Sequence, residues 1–220
     1  MIKALIFDFD GLILDTEVPN YQTWSEIYQR YGCKLPISAW ITGIGGGPHL
    51  FNPCEYLETQ FGSPIDHEKI LLKHRQRFIE LVEAQPVLPG VEDYIAEAKR
   101  LGLKIGLASS SSHDWVDGNL SRLGLIEYFD CIKCSDDVKH VKPEPDLYIS
   151  VLEDLGIRAD EAIAFEDSTN GILSAKRAGI FCVAVPNAIT NHLSLDGADL
   201  QITSLADLPL EKLLSEKSLC

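Results

Sequence analysis

Apolar positions recur along the chain with two distinct periods. Ala4-Leu5-Ile6-Phe7 is an uninterrupted apolar run, which suits a strand buried on both faces of a parallel sheet. From residue 90 onward, short apolar runs alternate with stretches of helical spacing. Residues 91–101 place apolar side chains at helical intervals and stop at Gly102; a glycine there closes a helix without steric cost. Residues 104–108 read as a strand running into Ser109-Ser110-Ser111-Ser112, followed by a helix to Leu123 that Gly124 ends. Residues 129–134 predict another strand. Pro143-Glu144-Pro145 predicts the opening of a helix that runs to Leu155 and stops at Gly156, because prolines are tolerated at a helix start. Strands are further predicted over 162–165, 181–185 and 200–203, a helix over 171–178, and a helix near the C-terminus. Strands separated by single helices predict an α/β fold: a doubly wound parallel sheet with a Rossmann-like core.

Residues 17–85 break this rhythm. Tyr21, Trp24, Ile27, Tyr28 and Tyr31 follow helical spacing, as do Ile70, Leu71, Phe78, Leu81 and Val82. No buried strand is predicted here. Proline-bearing joints, Asp15-Thr16-Glu17-Val18-Pro19 and Gln85-Pro86-Val87-Leu88-Pro89-Gly90, mark both edges. The expectation is an α/β core domain of residues 1–16 and 86–220 and a small inserted helical cap domain of residues 17–85, hinged to open and close.

Composition narrows the partners. The chain has 220 residues and a formal net charge of −14, which argues against nucleic acid or an anionic membrane as the main partner, since both require a basic face. No apolar run reaches the roughly 18 residues of a membrane span. Met1-Ile2-Lys3 leads into the first strand without a signal-peptide pattern. Cysteines are scattered at 33, 54, 131, 134, 182 and 220, a usage that fits a reducing cytoplasm. The pair Cys131-Ile132-Lys133-Cys134 lies on a predicted strand, with no second pair or histidines spaced for zinc, and reads as structural.

The strand ends carry the chemistry, because ligands of an open parallel sheet bind beyond the carboxyl ends of its strands. Asp8 and Asp10 end the first strand, Ser109 the second, and Glu166-Asp167 a later one. Lys142 stands just before Pro143. Asp8, Asp10, Glu166 and Asp167 form a carboxylate cluster that requires a divalent cation, and hard oxygen ligands suit Mg2+. A carboxylate held against magnesium and a phosphoryl group can attack it. A second carboxylate can protonate the leaving oxygen and then take a proton from water. Ser109, Ser110 and the loop amides after Asp8, at Gly11, are placed to hold phosphoryl oxygens. Lys142 offsets the charge that develops in transfer.

These motifs resemble the haloacid dehalogenase superfamily. Asp8-Phe9-Asp10-Gly11-Leu12-Ile13-Leu14-Asp15-Thr16 matches its first motif, Leu107-Ala108-Ser109 its second, Lys142-Pro143 its third, and Phe165-Glu166-Asp167-Ser168-Thr169-Asn170-Gly171 its fourth. Asp at position 10 resembles the phosphotransferase branch. The resemblance implies a magnesium-dependent aspartyl-phosphate mechanism, with Asp8 as nucleophile and Asp10 as acid/base. It places the metal on Asp8, the Asp10 main-chain carbonyl and Asp167, with Glu166 beside it. Within the superfamily the chain is similar to the subgroup of beta-phosphoglucomutase and small sugar-phosphate phosphatases. Asn20 stands where the mutase has a cap histidine, Thr42-Gly43-Ile44-Gly45-Gly46-Gly47-Pro48 where it has a phosphate-gripping arginine, and His74 where it has a cap lysine. Losing a bidentate arginine weakens the hold on a second phosphate. The expected activity is therefore hydrolysis of a small soluble phosphomonoester such as a sugar phosphate, with a phosphosugar mutase as the alternative. A phosphate-accepting receiver module is disfavoured by residues 17–85 and by Asp10.

Other residues carry weaker signals. Trp24 reads as a core aromatic or a surface for a substrate ring. His74 and Arg75 read as a solvated helix face or a phosphate contact. The 43–47 glycine run reads as a cap loop or an anion nest. Ser110–Ser112 and His113 are placed to cap the following helix. Ser168 and Asn170 are expected to brace the acidic loop, and Asp15 to make a local hydrogen bond. His49, His67, His140 and His192 show no partner pattern and read as surface residues.

Overall fold

The central strands owe their burial to strict alternation. In β1 (Ala4–Phe7) every residue is buried. Leu5 and Phe7 enter one apolar cluster, whereas Ala4 and Ile6 enter another on the opposite face. The same alternation recurs in β2 (Lys104–Ala108) and β4 (Ala162–Glu166), where Leu107, Ile163 and Phe165 face one side and Ala108, Ala162 and Ala164 the other. A sheet that is apolar on both faces must be covered by helices on both. This computed structural model describes residues 1–44 and 51–217. The expectations attached to Gly45, Gly46, Gly47, Pro48, His49 and Cys220 fall outside the described residues.

The remaining core elements follow in order. They are α1 (Glu17–Arg30), α2 (Ile37–Trp40), α3 (Pro53–Phe61), α4 (His67–Glu83), α5 (Val91–Arg100), α6 (His113–Leu123), β3 (Cys131–Lys133), α7 (Asp146–Leu155), α8 (Thr169–Arg177), β5 (Phe181–Ala184), β6 (Leu200–Gln201) and α9 (Leu210–Lys217). Among the described residues the sheet has six strands in the order β3-β2-β1-β4-β5-β6, and all of its pairings are parallel. The fold class is the predicted one. The order reverses between β1 and β4, so the crevice of this sheet opens above the ends of those two strands. Residues from α5, α6 and α9 fill the Leu5/Phe7 face, and residues from α7 and α8 fill the Ala4/Ile6 face. Alanines on the second face let α7 and α8 approach closely. At Gly106 a Cβ would meet Val151 of α7.

Among the described residues of 17–83, every regular element is a helix. A third cluster gathers Trp24, Ile27, Tyr28, Leu35, Trp40, Cys54, Leu57 and Ile70, joined by Ile189 from beyond β5. The C-terminal end of α4 departs from this cluster, since Phe78 and Val82 pack with the Leu5/Phe7 face. The two connecting segments lie side by side: Leu14 bridges Val87, and Leu88 donates to the Ile13 carbonyl at 2.9 Å.

Several predicted bounds shift. The helix expected to open at Pro143 begins at Asp146, with Pro145 in the capping position. The Pro143 and Glu144 carbonyls accept from Arg177 and Ser174 of α8, so residues 143–145 form a tethered turn after a cis Lys142–Pro143 bond. The strand expected over 129–134 shrinks to 131–133, because Asp130 turns its carboxylate onto the Ile105 amide at 2.7 Å. The strand expected over 200–203 ends at Gln201. The serine cap expected for α6 is not made. Ser112 sits at the position without a side-chain bond, and Asp136 accepts from the His113 amide at 2.7 Å instead.

Candidate active site

The ends of β1, β2 and β4 converge on one cavity of about 560 Å³. Its lining includes Asp8, Asp10, Ser109, Ser110, Lys142 and Asp167. Asp8 follows β1 directly and is buried, and its amide donates to Phe165 on the neighbouring strand at 3.0 Å. Lys142 reaches in from the turn before α7. Its ammonium group hydrogen-bonds to Asp8 and, at 2.6 Å, to Glu166 Oε1. Burial opposes the lysine charge, but the Asp8 and Glu166 carboxylates outweigh it and raise its pKa, so Lys142 stays protonated. Tyr148 of α7 donates to the same Glu166 oxygen at 2.6 Å.

The acidic residues differ in their surroundings. Burial raises Glu166 to about 7. It also raises Asp167 well above the carboxylate range, with the charges of Asp8, Glu166 and Glu17 adding to the effect. Asp10 is held by two donors, one on each oxygen: Trp115 Nε1 to Oδ1 at 2.9 Å and Ser111 Oγ to Oδ2 at 2.6 Å. Burial raises its pKa, and the charge of Asp8 adds to that. The site therefore holds one carboxylate bonded to an ammonium group beside another biased toward its acid form, the division of labour that acid/base chemistry needs.

The donor set fits a divalent cation. Asp8, Glu166 and Asp167 can bring one oxygen each within 4.8 Å of one another. Their protein bonds engage a single oxygen of each: Asp8 Oδ1 and Glu166 Oε1 with Lys142, and Asp167 Oδ2 with Asn187 at 2.8 Å. Glu166 Oε2 is buried with no hydrogen-bond partner, an orphaned acceptor that a cation would satisfy. Gly11 explains itself here. It adopts φ +82°, and a Cβ at this position would overlap the Asp167 carboxylate. The Asp10 carboxylate lies outside this triad, which leaves only its main-chain carbonyl for the metal role expected of it.

The other predicted residues take varied places. Ser109 is buried and accepts from the Ser111 amide at 3.1 Å. Trp24 is buried in the helical cluster and does not line the cavity. His74 is not on a solvated face. It stacks between Trp24 and Phe78, with centroid distances of 4.6 and 5.8 Å, and burial lowers its pKa to about 4. Its Nε2 lies 3.0 Å from Asn20 Oδ1, and Asn20 does line the cavity. Arg75 is exposed. Asp15 accepts from the Val18 amide and Ser168 from the Gly171 amide, local bonds of the kind expected of them. Asn170 lines the cavity. His67 and His140 pair with Glu58 and Asp146 at 3.1 Å each, and His192 is exposed. Cys131 and Cys134 are free thiols.

Sequence reasoning missed Glu17, Tyr148, Trp115 and Asn187, and it placed Ser111 among the residues expected to cap the next helix. Glu17, at the start of α1, lines the cavity. Burial together with the charges of Asp10, Asp15 and Asp8 raises it to about 7. Asn187 follows β5, so applying the strand-end rule to that strand as well would have found it. Nothing local marks Trp115 or Tyr148, which reach the site from helix faces.

Comparison with known proteins agrees with this geometry. Residues 5–185 match the family model of haloacid dehalogenase-like hydrolases. YhcW of Bacillus subtilis (strain 168) is 48% identical over 216 residues, covering 97% of each chain. The fructose-1-phosphate phosphatase YqaB of Escherichia coli (strain K12) is 32% identical over 185 residues, covering 83% of this chain and 95% of that one. Among solved structures, a beta-phosphoglucomutase from Clostridium difficile superposes with a TM-score of 0.74 at 26% identity, covering 100% of this chain and 98% of that one. The motifs at the strand ends, the sheet order and the family match together make this chain a member of the haloacid dehalogenase-like hydrolase family.

Proposed function

We propose that this protein is a magnesium-dependent phosphatase for a small soluble monophosphate, such as a sugar phosphate, acting through an aspartyl phosphate on Asp8. The observation that carries this reading is the pairing of Asp8, bonded to Lys142 at the rim of the sheet, with Asp10, fixed at both carboxylate oxygens. Asp8, Glu166 and Asp167, with the Asp10 main-chain carbonyl, would hold Mg2+. When bound, such an ion would neutralise the carboxylates so that a phosphoryl group could approach them. Asp8 attacks phosphorus. The bond to the leaving oxygen breaks as Asp10 gives that oxygen its proton. Water then attacks the aspartyl phosphate, Asp10 takes its proton, and inorganic phosphate departs with Asp8 restored. Ser109 and Ser110 hold phosphoryl oxygens and Lys142 offsets their charge; the Gly11 amide, expected to join them, already donates to the Leu14 carbonyl at 2.8 Å.

Residues 17–85 serve as the cap over this site, hinged where Leu14 and Val87 lie side by side. The reading as a hydrolase rather than a mutase rests on charge. Lys142 is the one cation lining the cavity among the described residues, and it is already bonded to Asp8 and Glu166. A mutase must hold a second phosphate as the intermediate turns, which calls for a further cation. The free thiols at Cys33, Cys54, Cys131, Cys134 and Cys182 support a reducing, cytoplasmic setting. The test is a panel of phosphomonoesters assayed with magnesium, scored for phosphate release and for isomer formation. Phosphate release from at least one sugar monophosphate is expected. Isomer formation from beta-glucose 1-phosphate without net phosphate release would make the protein a mutase.

A further inference from the structure

Four aromatic rings form a continuous stack that ends on Asp10. Trp24 of α1 stacks on His74 of α4 at 4.6 Å and 29°. His74 stacks on Phe78 of the same helix at 5.8 Å and 11°. Phe78 stacks on Trp115 of α6 at 5.6 Å and 17°. The Trp115 indole N–H then donates to Asp10 Oδ1 at 2.9 Å. Three of these rings belong to residues 17–85, and the fourth to a helix that packs on the sheet.

An aspartate side chain has two rotatable bonds. Ser111 on one oxygen and Trp115 on the other fix both. The serine hydroxyl rotates freely and follows the carboxylate, whereas an indole N–H points only where its ring plane points. That plane is set here by the face of Phe78. Lifting α4 from α6 would remove the stack and free the indole to turn.

Resting on the phosphatase reading, we propose that Trp115 is a positioning residue for Asp10, its indole plane held by the face of Phe78. A displacement of about 1 Å at such a group costs on the order of 10²-fold in rate.

The experiment uses Trp115→Phe, which keeps a ring against Phe78 but lacks the N–H. A nitrophenolate leaving group needs little help from an acid, whereas hydrolysis of the aspartyl phosphate needs Asp10 as base. With p-nitrophenyl phosphate the first-turnover burst should stay within about two-fold of wild type, while steady-state turnover should fall about 10- to 10²-fold. A general loss of structure would lower both phases together. Phe78→Leu should show the same split, and the double variant should be no worse than the more impaired single one. Should Trp115→Phe fail to fold, Phe78→Leu reads the same prediction from the far side of the indole. Steady-state rates within two-fold of wild type in the folded variants, equal loss in both phases, or additive losses in the double variant would each overturn the proposal. Absence of wild-type hydrolysis across the phosphomonoester panel would instead defeat the phosphatase reading beneath it.

Discussion

Lys142 and Glu166 share a buried ion pair of 2.6 Å, with side chains 5% and 0% exposed. Among the described residues Glu166 has no other cation within bonding reach, and its remaining bond is from the neutral Tyr148 hydroxyl. Removing one partner of such a pair strands the other charge in a low-dielectric interior. Lys142→Met should therefore destabilise the protein by about 3–5 kcal/mol at pH 7.5. Urea denaturation should show an earlier midpoint, and phosphatase activity should vanish in the fraction that remains folded. A variant as stable as wild type would show that the pair contributes little.

Asp8 and Asp10 stand two residues apart and carry different proposed roles. Asp8→Asn should leave no measurable turnover, because an amide is no nucleophile toward phosphorus. Asp10→Asn should retain a residue of activity, slowed by about 10²- to 10⁴-fold. Steady-state assays with a sugar phosphate separate these outcomes. Equal, mild losses in both variants would remove the proposed division of roles.

The orphaned Glu166 oxygen and the raised pKa of Asp167 both mark a site that is poorly satisfied without a cation. Adding Mg2+ to chelator-treated protein should raise the melting temperature as well as restore hydrolysis. At a free ion concentration of 100 times Kd the stabilisation is about 2.7 kcal/mol. Asp167→Asn should abolish the magnesium-dependent melting shift. Calorimetry that finds the same shift in both proteins would place the ion elsewhere.

Glu17 gives a pH signature. Its folded pKa of about 7 lies above the ordinary carboxylate value. The folded protein therefore binds more protons than the unfolded chain between those two values, and stability falls as pH rises through that window. The contribution is fully present below the unfolded pKa and is lost by about pH 8. Glu17→Gln removes this dependence. Relative to wild type, the variant should gain roughly 1–2 kcal/mol between pH 5 and pH 8 in metal-free buffer, a figure reduced because the side chain is only part-buried. Denaturation midpoints at the two pH values measure it, and parallel curves would contradict it.

The alternation of Ala4, Leu5, Ile6 and Phe7, and the residues that end β1, β2 and β4, were legible from the chain alone. Strand burial is a local pattern of period two, and the strand-end rule turns order along the sequence into position in space. Asp8, Ser109 and Asp167 therefore came into view one by one as stations on a rim, with Lys142 added from the loop before Pro143. What encloses them was not legible. His74 sits on a helix rich in charge, yet it is half-buried in a stack because of how α1 and α4 pack. Ser111 rather than Ser110 reaches Asp10, a difference of one residue set by the turn after β2. Trp115, Tyr148 and Glu17 enter from helix faces whose rotation and approach depend on side chains dozens of residues away. Local periodicity fixed the strands, and the residues at their ends together with the four motifs nominated the proposed site. Only the packing of helices against each other and against the sheet decided which of them touch, because those contacts are fixed by volumes filled across the core rather than by neighbours in the chain.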